Sequence, residues 1–294
     1  MVPTAPAPRT AAILMVVASA FVAMTTLLAK ALGTDTLGSP LHPIQIAYGR
    51  FLFALVAIGA VSAILRPPLA APNLNLHVAR PALGAAGVTL MFAAAAFIPL
   101  SDATAISFLN PVFCMLLAIP FLGERVGPWR WTAAVIALIG ALILLRPGPT
   151  TFQPAALLAL GAAVVFGAEA ILIKFLSGRE RPLQILLINN LLGWLIMGIA
   201  VIPVWVVPTA AQWAALAALG FAMAAAQACF VNAVARADAS LVTPLFYLTL
   251  VFAALYDAMI FGIVPDVWSL SGSAVILTGA ALLAWREGRA QHRV

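Results

Sequence analysis

The chain has 294 residues, 64% of them hydrophobic and only 8% charged, with a mean hydropathy of +1.11. Soluble domains carry about 25% charged residues, so this chain cannot clothe a water-facing surface, and a solvated disordered chain, which needs low hydrophobicity and high charge, is excluded too. The class that remains is a polytopic membrane protein, in which the formal net charge of +6 reads as loops beside an anionic leaflet rather than a nucleic-acid surface.

A membrane-crossing helix needs about 20 apolar residues. In chain order the predicted spans are 11–32, 44–65, 81–99, 103–122, 129–145, 154–177, 183–206, 211–234, 239–262 and 267–285. The first ten residues hold three prolines and one arginine, and the apolar run behind them is long enough to span, so no cleavable leader is expected. Between spans the turns are short and carry Gly, Pro, Asp and Arg. Runs such as 157–165 do not alternate polar with apolar, which argues against a barrel. Cys114 and Cys229 both lie inside apolar stretches and read as small hydrophobes.

Positive charge orients the spans. With the N-terminus in the cytoplasm, inner loops and ends hold Arg9, Arg66, Arg80, Arg125, Arg130, Lys174, Arg179, Arg181, Arg236, Arg286, Arg289 and Arg293, whereas outer ends hold only Lys30 and Arg146. Both termini are therefore expected on the cytoplasmic side of the inner membrane. Six of the seven tryptophans fall near span ends, and Trp194 alone lies mid-span.

The chain repeats itself. Trp129 precedes Gly140 by eleven residues, as Trp268 precedes Gly279. Leu122-Gly123 is echoed by Phe261-Gly262, Ser101-Asp102-Ala103 by Ala237-Asp238-Ala239, and Leu28-Ala29-Lys30-Ala31-Leu32 by Leu172-Ile173-Lys174-Phe175-Leu176. The unit has five spans, so its second copy enters the membrane upside down, and the repeats are placed at 1–147 and 148–294. Two similar halves of opposite orientation can exchange conformations and carry a central site from one face to the other, a recurrent design of secondary transporters.

Residues 99–113 (Pro-Leu-Ser-Asp-Ala-Thr-Ala-Ile-Ser-Phe-Leu-Asn-Pro-Val-Phe) and 121–127 (Phe-Leu-Gly-Glu-Arg-Val-Gly) resemble the first-repeat pattern of EamA-type members of the drug/metabolite transporter superfamily. Residues 244–253 (Pro-Leu-Phe-Tyr-Leu-Thr-Leu-Val-Phe-Ala) and 261–266 resemble the second, departing at Ile263, where the family has an acidic residue, so Glu124 has no acidic counterpart. The resemblance covers essentially the whole chain. It implies an all-α fold of ten membrane helices in two inverted five-helix repeats and export of amino acids or related metabolites. Within the superfamily the chain resembles the YddG-type exporters of aromatic and other neutral amino acids.

Ionisable groups inside spans cost a few kcal/mol at mid-bilayer unless paired or hydrated. Arg50 lies roughly 9 Å into its span and Asp257 at a similar depth from the same side. They are expected to act in coupling or gating, or to form a structural pair, Asp257 taking either Arg50 or Lys30. Lys30 can also snorkel to the interface. Glu169 lies roughly 12 Å from the inner face; Lys174, five positions on, is rotated off its face, so Glu169 is expected to face the bundle interior. Thr25, Gln227, Asn189 and Asn190 add uncharged polarity, and Phe21, Phe92, Phe108, Phe166, Phe230, Tyr247 and Phe252 are mid-span aromatics. The expected substrate-binding set is Phe21, Thr25, Phe92, Phe108, Glu169, Gln227 and Tyr247, each weighed against simple packing. Pro111 and Pro244, in the fourth and ninth spans, are expected to kink their helices, free the carbonyls of Ser107 and Ser240, and act as hinges.

His42, His77 and His292 lie in predicted loops or tails, and no metal cluster, P-loop or Gly-x-Ser-x-Gly element occurs. Catalysis, metal and cofactor are not expected. The expected partners are a small-molecule substrate and the lipid bilayer, with no nucleic acid; homo-oligomer formation stays open. A transporter of another metabolite or drug, such as a purine, nucleoside or cationic drug, is the alternative to amino-acid export.

Overall fold

The computed structural model of the chain describes residues 8–66, 74–122, 128–145, 153–177, 182–234, 245–246 and 248–291. Each of the ten predicted spans holds helix there. The helices are α1 (Pro8–Gly33), α2 (Pro43–Leu65), α3 (Leu74–Phe97), α4 (Leu100–Ser107), α5 (Asn110–Leu122), α6 (Pro128–Leu145), α7 (Ala156–Ser177), α8 (Pro182–Ala200), α9 (Ala210–Val234), α10 (Leu248–Tyr256) and α11 (Val267–Gln291). Among the described residues, six segments are long and apolar enough to cross a membrane: Arg9–Gly33, Pro43–Leu65, His77–Phe97, Asp102–Phe121, Leu183–Ala200 and Ala210–Phe230. Helices are the answer because lipid offers no partner to a backbone N–H or C=O, and a helix satisfies its own.

Local chemistry sets the ends. α1, α2, α6 and α8 open on proline, whose missing N–H falls where a helix needs none. The Ile44 N–H at the start of α2 donates to Nδ1 of His42 at 3.3 Å, and α2 stops at a left-handed Arg66 whose N–H returns to the Ser62 carbonyl. α10 runs into a wider π-turn, Asp257–Phe261, closed by Gly262 at φ 66°.

Helix pairing has the two-fold pattern of an inverted repeat. Exchanging span 1 for 6, 2 for 7, 3 for 8, 4 for 9 and 5 for 10 turns the largest contacts into others that are present, whereas the contacts of α3 with α1 and α2 have no comparable counterpart of α9 with α7 and α8 among the described residues. α1 on α9 becomes α7 on α3, and α2 on α9 becomes α8 on α3. α1 on α10 becomes α7 on α4 and α5, while α2 on α8 and α6 on α11 map onto themselves. One core lies among α3, α4, α5, α7 and α11, around Ile106, Leu109, Ala159, Ala163 and Ile276. A second lies among α2, α3, α8 and α9, around Ile46, Phe51, Phe92 and Leu219. Phe166 packs against both. Large apolar side chains such as Ile64, Ile199 and Val251 face outward, as lipid-facing spans require.

Three expectations are corrected. The fourth span is not one kinked helix: it breaks at Phe108–Leu109, where the Phe108 N–H is shared by the Thr104 and Ala105 carbonyls and the Leu109 N–H donates to Ile106. Pro111 thus enters in the first turn of α5, where a missing N–H is tolerated, and Pro120 is the proline inside that helix. The third span starts at Leu74 rather than at Pro81, so Arg80 is a buried helical residue and not a loop charge. The seventh span ends at Ala200, where a short turn, Ile202–Val204, built on Pro203 takes over.

Candidate substrate site

Two charged assemblies interrupt the apolar interior. At the end of the bundle where α1 finishes, Lys30 Nζ lies 2.6 Å from Asp257 Oδ1, and both side chains are buried. The other oxygen of Asp257 accepts the N–H of Leu100, the first residue of α4. That N–H has no partner inside its own helix, and a carboxylate there also suits the positive end of the helix dipole. Lys30 further sits 4.6 Å from the ring centroid of Phe261. Asp257 therefore ties α1, the turn after α10 and the start of α4 together. Of the two partners expected for Asp257, the structure gives Lys30.

Arg50 belongs to the second assembly. Arg80 on α3 lies 3.5 Å from Glu169 on α7, a loose ion pair, and its Nη1 also reaches the Ile185 carbonyl of α8 at 3.5 Å. Arg50 on α2 is within electrostatic reach of both Glu169 and Arg80. Its guanidinium lies 4.6 Å from the Phe51 ring, and its Nη1 is buried with no hydrogen-bond partner. Glycines on α3 make the approach possible. A Cβ at Gly84 would lie 3.2 Å from the Glu169 carboxylate, and one at Gly87 would lie 2.6 Å from the Phe166 ring. Other buried polar side-chain atoms without a hydrogen-bond partner among the described residues include Arg80 Nε, Oδ1 of Asn189, Oδ1 of Asn190 and Oε1 of Gln227.

The other predicted residues are distributed more widely. Thr25 is buried and turns its hydroxyl back to the Val22 carbonyl at 2.7 Å. Phe92 is buried in the core beside α2 and α8. Phe108 is buried beside Phe246, ring centroids 6.2 Å apart. Phe21 is half-buried on α1. Phe252 stacks on Tyr256, and Phe230 is exposed. Tyr247, Pro244 and Glu124 lie outside the described residues. Mid-span Trp194 donates to the Tyr48 hydroxyl at 3.2 Å, beneath the Tyr48–Trp205–Trp213 aromatic group at the Lys30 end. Sequence reasoning missed Arg80. The apolar Leu74, Leu76, Val78 and Ala79 ahead of Pro81 were the signal that its helix starts earlier.

A membrane bundle of inverted halves around a polar interior is a transporter's architecture, and the comparison with known proteins agrees. The family model described as the EamA-like transporter family matches twice, over residues 9–146 and 153–285. The chain belongs to the EamA-like transporter family. This EamA-type chain of the drug/metabolite transporter superfamily thus has the family's ten-helix fold in two inverted repeats. A riboflavin transporter of Rhizobium johnstonii is 34% identical over 74% of this chain and 72% of its own length. An S-adenosylmethionine uptake transporter of Rickettsia bellii is 28% identical over 87% and 89%. A pseudopaline exporter of Pseudomonas aeruginosa is 26% identical over 74% and 77%. A solved crystal structure, 21% identical and covering 96% of this chain and 99% of its own, has the same fold at a TM-score of 0.64. The cargo in these names is other than amino acids, so the EamA-type chain is a transporter of small metabolites and the amino-acid exporter resemblance is set aside.

Proposed function

We propose that the chain carries a small, uncharged heteroaromatic metabolite of the flavin type across the cell inner membrane by alternating access. The observation that carries this reading is the charge of the interior. Arg50 and Arg80 face a single Glu169, leaving a surplus positive charge and a guanidinium nitrogen without a partner. A cationic cargo such as a sulfonium is repelled there, since like charges in a poorly hydrated site are strongly unfavourable. A neutral ring system carrying carbonyl acceptors is attracted. The relatives named for riboflavin fit this charge better than those named for S-adenosylmethionine.

In this reading Arg50 and Glu169 lie at the substrate site, with Gln227 on α9 at its edge, whereas Phe92, Phe108 and Thr25 shape the walls. Phe21 on α1 is assigned to the substrate path, and Tyr247 keeps the substrate-contact role expected from the sequence. The Lys30–Asp257 pair closes the outer end, and Pro111, just past the break at Phe108–Leu109, together with Pro244 serves as a hinge that lets the repeats, 1–147 and 148–294, exchange conformations. Both termini face the cytoplasm. With no nucleotide-binding motif in the sequence, the driving force is a solute or ion gradient.

The test is uptake of labelled riboflavin by a riboflavin-requiring bacterium that expresses the chain. Expression is expected to restore growth at low external riboflavin, and excess unlabelled riboflavin to compete where tryptophan and S-adenosylmethionine do not. Competition by tryptophan or S-adenosylmethionine alone, with no riboflavin uptake, would remove the flavin reading.

A further inference from the structure

On α8 the residues Ile185, Asn189 and Gly193 recur every four positions and so share one face. At one end of that face the Ile185 carbonyl receives Arg80 Nη1. At the other, Gly193 rests against the Phe51 ring so closely that a Cβ would lie 2.5 Å from it, and the Arg50 guanidinium lies over that same ring. Asn189 therefore sits between the levels of the two arginines. It is 5% exposed, yet its Oδ1 has no hydrogen-bond partner, and neither has Nη1 of the equally buried Arg50. Asn190, its fully buried neighbour, spends its amide nitrogen on the Leu186 carbonyl at 2.8 Å and leaves its oxygen unpaired.

Unpaired buried donors and acceptors are rare, because each forfeits its hydration without replacement. Here a free donor and a free acceptor lie on two helices packed against each other, without satisfying one another. A ligand edge that presents an acceptor beside a donor satisfies both. We propose that Arg50 and Asn189 form a recognition clamp for an imide edge, as in a pyrimidine-dione ring. Arg50 Nη1 donates to a ring carbonyl and Asn189 Oδ1 accepts the ring N–H. The proposal deepens the flavin reading and rests on it, since the isoalloxazine ring carries such an edge. Glu169 stays on Arg80, and the charge of Arg50 is left for the ring carbonyl.

The test is a fluorescence titration of the purified, detergent-solubilised chain with riboflavin and with N3-methylriboflavin, which lacks the N–H. The wild type is expected to bind riboflavin about tenfold more tightly than the methylated analogue, the value of roughly one hydrogen bond to a buried acceptor. Asn189→Leu should bind the two alike, at the weaker level. Arg50→Gln should weaken both about tenfold or more and keep the preference. A purely structural role for Asn189 would lower the ligand-free thermal midpoint and leave the ratio unchanged. If the leucine variant does not fold, Asn189→Ala repeats the comparison. A wild type that binds both equally, or an Asn189 variant that keeps the tenfold ratio, overturns the clamp and leaves flavin transport standing. A wild type that binds no riboflavin overturns the flavin reading and the clamp together.

Discussion

Lys30 and Asp257, 227 positions apart in the chain, hold each other at 2.6 Å with both side chains out of solvent. The same carboxylate caps α4 through the Leu100 N–H, so one residue has two roles that can be separated. Asp257→Asn keeps an acceptor for Leu100 but strands the Lys30 charge. Removing one partner of a buried pair costs about 3–5 kcal/mol, and the variant is expected to lose folded yield and thermal midpoint in detergent. The exchange Lys30→Asp with Asp257→Lys should recover only part of the loss, since a lysine at 257 cannot accept the Leu100 N–H. Normal stability in Asp257→Asn would mean that the pair contributes nothing.

The glycines of α3 make a second prediction. Gly87→Ala places a methyl group 2.6 Å from the Phe166 ring, and a packed ring has little room to retreat. Overpacking of this kind costs about 1–3 kcal/mol, read as a lower melting temperature. Phe166→Leu in the same chain should restore most of it. At Gly84 an added methyl meets the Glu169 carboxylate at 3.2 Å; Gly84→Ala is expected to fold and to lose substrate affinity, because it shifts the partner of Arg80. Equal melting temperatures for wild type and Gly87→Ala would show that α3 and α7 do not approach as described.

The break at Phe108–Leu109 sets the third. Alanine at 111 restores an N–H that can pair with the Ser107 carbonyl and favours a continuous fourth span. Pro111→Ala is expected to change stability by no more than about 1 kcal/mol and to slow transport severalfold, as one conformation becomes preferred. Transport at the wild-type rate would make the break a static feature.

Topology follows from the charge map. After Cys114 and Cys229 are replaced, cysteines at Thr36 and Ala210, both exposed at the Lys30 end, should react with an impermeant thiol reagent from outside. Cysteines at Arg66 and Arg179 should react only once the membrane is opened. The opposite pattern would invert the orientation.

The spans and their duplication were legible in the sequence because a bilayer imposes a length of about 20 apolar residues on every crossing and because Trp129 and Trp268 mark the same place in each copy. Depth alone narrows the partner of Asp257 to two cations; which of them it takes depends on helix packing, which gives it Lys30 and leaves Arg50 over the Phe51 ring. Pro81 resembles a helix start and so places Arg80 in a loop by sequence alone, whereas proline is tolerated inside a span when neighbouring helices satisfy the freed carbonyl. The break at Phe108 is invisible to an apolar count, since Phe108, Leu109 and Val112 are all apolar and buried on either side of it. Cargo was the least legible feature: the unpaired atoms of Arg50 and Asn189 become evident only when α2 and α8 are set against each other.

Counterflow in proteoliposomes reads flavin transport by the chain alone. Vesicles containing the purified chain are loaded with unlabelled riboflavin and diluted into labelled riboflavin. A transient accumulation of label above equilibrium is expected, absent from protein-free vesicles and strongly reduced by Arg50→Gln. Entry of label that only approaches equilibrium, or counterflow that tryptophan drives and riboflavin does not, would contradict flavin transport.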